Sequence, residues 1–339
     1  MRLRLWLHGL LLTVLLLAAG GYVLLQLSPS TSGWARYPAD SSLNQDNALA
    51  ITWLGTSTLL ISDGTTSLMT DGYFSRVSRW QAISADLSPD ATRIDTALAT
   101  LDTRDLAAVL VVHSHFDHVL DAPWVALATG ADLVGSRSTA NVGRGAGLPE
   151  QRITEARFGE PLHYGDFEVL FLKSDHVPQS AWVDRMTGMN ETIDAPLTPP
   201  APIDAWKEGE SYALLIRHPR GDILVQGSAG FVEGQLDGYQ ADIAFVSSVG
   251  LFRQPRDFTQ QYVANTVAAT GASKVVPIHW DDFFVELTPH TPALPWVMEN
   301  LDASFSLLSE ALAPLDAQLL VIDPMNTLYF RKPDTDTLE

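Results

Sequence analysis

Cysteine is absent from the 339 residues. Its absence excludes disulfides, thiolate metal ligands and a lipid anchor on cysteine, and it leaves the redox compartment open. Any metal must therefore be held by histidine, aspartate or glutamate. Positive charge is scarce: 21 Lys and Arg stand against 40 Asp and Glu, a formal net charge of −19. Phosphate backbones are bound through clustered Lys and Arg, so no nucleic-acid partner is expected. The chain has no Gly-x-Ser-x-Gly elbow, no P-loop and no dinucleotide fingerprint. Covalent-serine and nucleotide chemistry thus have no sequence basis.

What is present points to a folded protein. Hydrophobic residues make up 46% and charged residues 18%, enough for a sizeable core in one large domain or two small ones. Arg2 and Arg4 precede an apolar run from Leu5 to Leu27 whose most polar members are His8 and Gln26. A helix of that length spans the ~30 Å hydrocarbon core. A cleaved signal peptide, with a weak site at Ala18-Ala19-Gly20, competes with a retained anchor. The run continues through Tyr22 to Leu25, which favours the anchor. Either reading exports the domain; the anchor holds it on the periplasmic or extracytoplasmic side of the inner membrane. Residues 28–48 read as a linker, 49–333 as the functional domain and 334–339 as a tail.

The densest chemical signal is His113-Ser114-His115-Phe116-Asp117-His118, directly after the apolar run Leu106 to Val112. Four ligand-type residues in six positions at the end of a buried strand suit a metal far better than packing. Other candidates also follow apolar strands: Asp71 after Ser67–Thr70, His176 after Phe167–Leu172, and His279 after Lys274–Ile278. Sites in α/β folds gather at such strand ends. His8, His163, His218 and His290 read as surface or packing residues, His290 in a Pro-rich loop being the one most able to reach the site.

Farther along, Asp257 to Thr270 is expected as a helix capped by Asp257, Trp296 to Leu312 as a final helix, and Gln318–Asp323 with Thr327–Phe330 as a terminal hairpin. The segment from Asp184 to Lys207 is long, Pro-rich and without clear period, and is expected to form an apolar-lined lid. Arg253 and Arg256 are candidates to clamp a phosphate or carboxylate, against the plainer reading of solvated arginines. Trp182, Trp206 and Trp280 are expected to wall an apolar pocket or else to belong to the core.

The hexapeptide has the form His-x-His-x-Asp-His. With Thr70-Asp71-Gly72, the later His176 and Pro277-Ile278-His279-Trp280 in that order, the chain from about Ala48 to Lys332 resembles the metallo-β-lactamase superfamily. It is most similar to the branch of N-acyl-phosphatidylethanolamine phospholipase D and the phosphorylated-lactone hydrolases. The resemblance implies an α/β fold, a four-layer αββα sandwich. It also implies one or two zinc ions per chain, the first held by His113, His115 and His176, the second by Asp117, His118 and His279. Asp71 would hydrogen-bond the metal-binding loop. Many members place a bridging Asp in a Gly-Asp-Thr or Gly-Asp-Ser setting. Here Ser228 stands there, within Gln226-Gly227-Ser228-Ala229-Gly230. A serine hydroxyl is a poor zinc ligand, so the second ion is expected to bind more weakly. The third subclass of true metallo-β-lactamases offers a precedent for two zinc ions on three-residue sets of this kind.

The implied activity is a zinc-dependent hydrolase in which a metal-bound hydroxide, oriented by Asp117, cleaves an ester, amide, lactone or phosphodiester of a small-molecule or lipid-like substrate. The alternative is an exported metal-binding or sensor protein with little turnover.

Overall fold

The computed structural model describes residues 2–44 and 46–333, with the side chains at 2–5, 7, 9 and 18 outside the description. The expected tail, 334–339, lies outside the described residues. Helix α1 (Arg2–Leu24) opens the chain. The expected membrane span falls partly on those undescribed side chains, and among the described residues no helix is long and apolar enough to cross a membrane.

Two seven-stranded mixed sheets form the body of the molecule. The first contains β1 (Leu49–Trp53), β2 (Leu59–Ser62), β3 (Ser67–Thr70), β4 (Leu106–Leu110), β5 (Asp132–Gly135) and β6 (Ile153–Glu155). The second contains β7 (Leu162–Tyr164), β8 (Phe167–Ser174), β9 (Ser211–Arg217), β10 (Ile223–Gln226), β11 (Ile243–Ser247), β12 (Lys274–Ile278) and β13 (Gln318–Leu319). The last strand, β14 (Thr327–Phe330), returns to pair antiparallel with β1. The expected terminal hairpin is therefore split between the two sheets.

Three apolar clusters divide the sandwich into four layers. Trp53, Val112, Phe171, Leu214, Phe245 and Ile278 pack between the sheets. The outer face of the first sheet (Met69, Val109, Val111, Leu133) packs on α3 (Ala91–Thr100), α4 (Phe116–Val119), α5 (Ala122–Thr129) and α6 (Arg137–Gly145), through residues such as Ile94, Val119, Val125 and Val142; the short α2 (Arg79–Ser84) precedes them. A seventh short helix, α7 (Ala181–Thr187), stands in the segment expected to be a lid. The outer face of the second sheet (Leu215, Leu224, Val246) packs on α8 (Arg256–Val263) and α9 (Leu301–Leu312), with Tyr262, Leu308 and Leu312 buried there. Each fully buried Leu, Val, Ile or Phe contributes about 1.5–3 kcal/mol.

Burial on both faces explains the sequence pattern. β4 lies between β3 and β5, parallel to both, and is almost wholly buried. It therefore reads as a continuous apolar run rather than an alternation. The strands also share a direction. β3 and β4 are parallel; β10, β11 and β12 are parallel, and β8 runs with them because both flank β9 antiparallel. Their carboxyl ends deliver the Asp71 loop, the hexapeptide, His176, Ser228 and His279.

Several expected boundaries shift. The last helix begins at Leu301, because Asn300 accepts the Ala303 N–H as its cap; residues 296–299 form a turn. α8 starts at Arg256 after Pro255, so Asp257 sits in its first turn rather than at its cap. It continues as a π-helical turn over Ala264–Ala268. The sequence reading assigned nothing between Tyr73 and Asp105, where α2 and α3 lie. The capping box of Ser78 and Gln81, and Asp90 accepting from Arg93 N, are the signals that mark them.

Candidate metal centre

The hexapeptide turns sharply out of β4. Asp71 anchors it from the neighbouring strand. One Asp71 oxygen accepts from the Val112 N–H at 2.9 Å. The other accepts from the Ser57 hydroxyl at 2.6 Å and meets His118 Nδ1 at 2.8 Å. With Nδ1 committed there, His118 presents Nε2 inward. His176 is fixed in the same way, its Nδ1–H donating to the Val177 carbonyl at 2.9 Å.

Two three-residue groups result. His113, His115 and His176 form one, and Asp117, His118 and His279 the other; within each, the ligand atoms lie within 4.8 Å of one another. In the first, His113 Nε2 and His115 Nδ1 are 3.1 Å apart. In the second, His279 Nε2 is 3.3 Å from His118 Nε2 and 3.4 Å from an Asp117 oxygen. The structure thus brings together all six residues expected as ligands.

Electrostatics suit a cation. Burial, together with the neighbouring imidazoles, holds His113 well below the usual histidine range. Burial and His176 do the same for His115. Burial also lowers His176, only partly offset by the Val177 carbonyl and Glu208. Burial alone would raise the Asp117 carboxyl, but His118 and His279 outweigh it and keep it well below the ordinary carboxylate value. Burial likewise opposes charge on His118, but Asp117 and Asp71 overcome it and raise that imidazole. The first group is therefore three neutral imidazoles with facing lone pairs. Two nitrogens each ~2.0–2.1 Å from one tetrahedral ion stand about 3.3–3.4 Å apart. The facing pairs match that spacing, so these residues fit a divalent transition metal in each group.

Ser228 has a task of its own beside the first group. Its hydroxyl accepts the Val177 N–H at 3.0 Å and so pins the loop that carries His176. Gly230 makes the approach possible: a Cβ there would lie 2.0 Å from the Asp175 carbonyl oxygen. Asp71 and Ser228 are both buried at the positions given to them by the sequence reading.

Other residues at the site had no clear sequence signal. Glu208 is buried; its carbonyl accepts from the Ser114 N–H, and its carboxylate accepts from Asn190 N and the Ser211 hydroxyl. It ties the hexapeptide to the 184–207 segment. Asp281 accepts from Thr56 N at 2.7 Å and pairs with Arg76 at 2.6 Å, both side chains fully buried. Thr56 in turn accepts from the His279 N–H. This strut fixes the loop at His279, whose φ of +62° is rare for a residue with a side chain; Thr56, Asp71 and Arg76 share that region at +46°, +55° and +47°. Gly55 must be glycine, since a Cβ would lie 1.9 Å from Arg76 Nη2.

A cavity of about 710 Å³ opens over both groups and is lined by His115, Asp117, His176 and His279. Its walls are apolar: Ile83, Met186, Trp206, Phe283, Phe284 and Met298. Besides Asp117, the cavity's charged members are Arg79, Arg253 and Glu299. Arg79 pairs with Asp282. Burial raises the Glu299 carboxyl, whose oxygens accept from Gly250 N and the Ser304 hydroxyl. Arg253 lines the cavity as expected, but Arg256 does not; it is 68% exposed and pairs with Glu310. Trp206 forms wall, Trp280 stacks on Trp53 in the core, and Trp182 is exposed. His290 sits in an exposed loop outside the cavity, and His218 pairs with Asp63 beside the β2–β3 turn, at the opposite end of the strands.

A curated UPF0173 metal-dependent hydrolase of Pyrobaculum islandicum is 24% identical over 241 residues, covering 69% of this chain and 85% of that protein. The isothiocyanate hydrolase from Delia radicum gut bacteria superposes with a TM-score of 0.50 at 15% identity, over 84% of this chain and 100% of that one. CmlA, a diiron β-hydroxylase from Streptomyces venezuelae, does so with a TM-score of 0.51 at 14% identity, over 84% and 54%. No family model matches the chain. The chain is thus similar to metal-dependent hydrolases, in keeping with its resemblance to the metallo-β-lactamase superfamily. Its described residues keep both three-residue groups, and Ser228, expected from the resemblance at the bridging position, serves the His176 loop.

Proposed function

We propose that this metal-dependent hydrolase holds two divalent ions, zinc by preference, and cleaves an ester, amide, lactone or phosphodiester of an apolar, lipid-derived substrate. The observation that carries the reading is the pair of ligand groups on the floor of an apolar-walled cavity. His113, His115 and His176 would hold one ion; Asp117, His118 and His279 the other. A divalent ion with three protein ligands and an open position supplies hydroxide at neutral pH and Lewis acidity toward a carbonyl or phosphoryl oxygen.

The protein's own share is positioning. Asp71 and Ser57 hold the His118 ring, and Asp117, kept ionised, is placed to accept a hydrogen bond from the attacking water. Arg253 offers charge to a substrate anion, and the walls exclude bulk water. Hydrolysis adds the elements of water across the bond, the proton passing to the leaving group. The basic N-terminus and the run Leu5–Leu27 support an exported, membrane-held location. The resemblance to the phospholipase D branch supports a lipid source.

The test is turnover by purified chain, loaded separately with zinc and with iron, on short- and long-chain esters, lactones and phosphodiesters. Chelator-sensitive turnover that favours long chains is expected, and deletion of most of 184–207 should erase that preference while metal content holds. Stoichiometric metal binding without turnover on any class supports the sensor alternative instead.

A further inference from the structure

Beyond Leu27, seven large hydrophobic side chains are exposed among the described residues, and five of them share three short segments: Trp80 and Ile83, Trp182, and Trp296 and Val297. Each segment also lines the catalytic cavity. Ile83 comes from α2, Val183 and Met186 from α7, and Met298 from the turn before α9. Trp80 and Ile83 are 72% and 68% exposed and stand three residues apart, on one side of α2. Trp182 is 65% exposed and precedes a wall residue of α7. A soluble surface scatters such side chains; here they are concentrated at the mouth of one cavity.

Two further observations name what covers them. The Trp296 N–H donates to the Leu27 carbonyl at 2.9 Å, so the chain leaving α1 is rooted at this rim. The described large side chains of α1 are themselves exposed, from Leu10 to Leu12 and Val14 to Leu17. Charge at the rim also departs from the whole. In a chain of net charge −19, α2 and α7 carry Arg79, paired with Asp282, and the exposed Arg185 against the single acid Asp184, and the exposed Arg253 lines the same cavity. Tryptophan with arginine is the composition that sits at a lipid–water boundary, rings at headgroup depth and guanidinium groups toward phosphate.

We infer that the rim formed by α2, α7 and residues 295–298 docks on a phosphatidylcholine-type bilayer surface, so that the cavity opens into the lipid and substrate enters without crossing water. This rests on the lipid-side reading of the substrate. A zwitterionic surface is favoured because the remaining acidic surface is repelled by anionic lipid.

The absence of cysteine makes the test clean. Single substitutions Ile83→Cys, Trp182→Cys and Val297→Cys each place one nitroxide label in the full chain, and Arg104→Cys labels the turn before β4, at the end opposite the hexapeptide. With the protein in phosphatidylcholine vesicles, the three rim labels should relax faster with oxygen than with a nickel chelate, and the Arg104→Cys label the reverse. Rim labels that favour the chelate, while the protein stays with the vesicles, overturn the docking face. Concentration-dependent spin–spin broadening at the rim also overturns it and makes the face a contact between copies. The expected oxygen pattern without turnover of any long-chain substrate supports the docking face and overturns the substrate reading alone.

Discussion

The two ligand groups differ in charge and in support. His113, His115 and His176 are neutral imidazoles, each held below its ordinary pKa by burial and by neighbouring rings. No carboxylate belongs to that set. Asp117, His118 and His279 include an ionised carboxylate, and Asp71 stands behind His118. Among the described residues the two groups share no carboxylate, so each would have to hold an ion on its own ligands. The second group brings its own negative charge to that task; the first does not. The sequence led us to expect the second ion to be the weaker. The geometry argues for the reverse order, because Ser228 acts at the His176 loop and takes nothing from the second group.

The largest effect should come from Asp71→Ala. It strips partners from Ser57, Val112 and His118 at once, in a fully buried place. Removing one member of a buried pair costs about 3–5 kcal/mol. Denaturant melts should show that loss, and metal analysis should show the second ion gone from what remains folded. Loss of a supporting partner lowers metal affinity by about 10–100-fold.

Asp117→Asn removes the one anionic ligand while keeping the fold. Competition with a chromophoric chelator should show the second ion weakened at least tenfold and the first little changed. In the unaltered chain, a stepwise chelator titration should strip the neutral group first. Loss of the second ion first would restore the order expected from sequence.

Ser228→Ala should be the mildest. It removes one hydrogen bond to Val177 N, a change of about 1 kcal/mol. The first ion should weaken a few-fold and the second not at all, read by the same competition. Ser228→Asp sharpens the point from the other side: a carboxylate that reaches both groups raises the affinity of both ions, and unchanged affinities mean that position 228 is not the bridging position.

Much of this site was legible because its ligands are dense in sequence and follow apolar strands. The hexapeptide, Asp71, His176 and His279 all stand where a buried strand run ends, and the parallel packing of β3 with β4 and of β10 with β12 through β11 carries those ends to one crevice. Residues that act through tertiary geometry were not legible. Arg79 lies on a short helix that no hydrophobic period announces. Glu208 and Asp281 are ordinary acids until the fold buries them beside Asn190 and Arg76. Arg253 and Arg256 look alike in sequence, yet one lines the cavity and the other pairs with Glu310, because the 3₁₀ turn Leu251–Arg253 ends between them. The rim tryptophans were likewise visible as residues but not as one surface.

The central claim is that two independent groups each hold an ion without a shared carboxylate. Native mass spectrometry of the full chain beside His176→Ala and His279→Ala tests it most directly. The account expects two ions in the unaltered chain and one in each variant, the retained ion being the more tightly held in His176→Ala. A chain that binds a single ion, or a variant that loses both together, would contradict it.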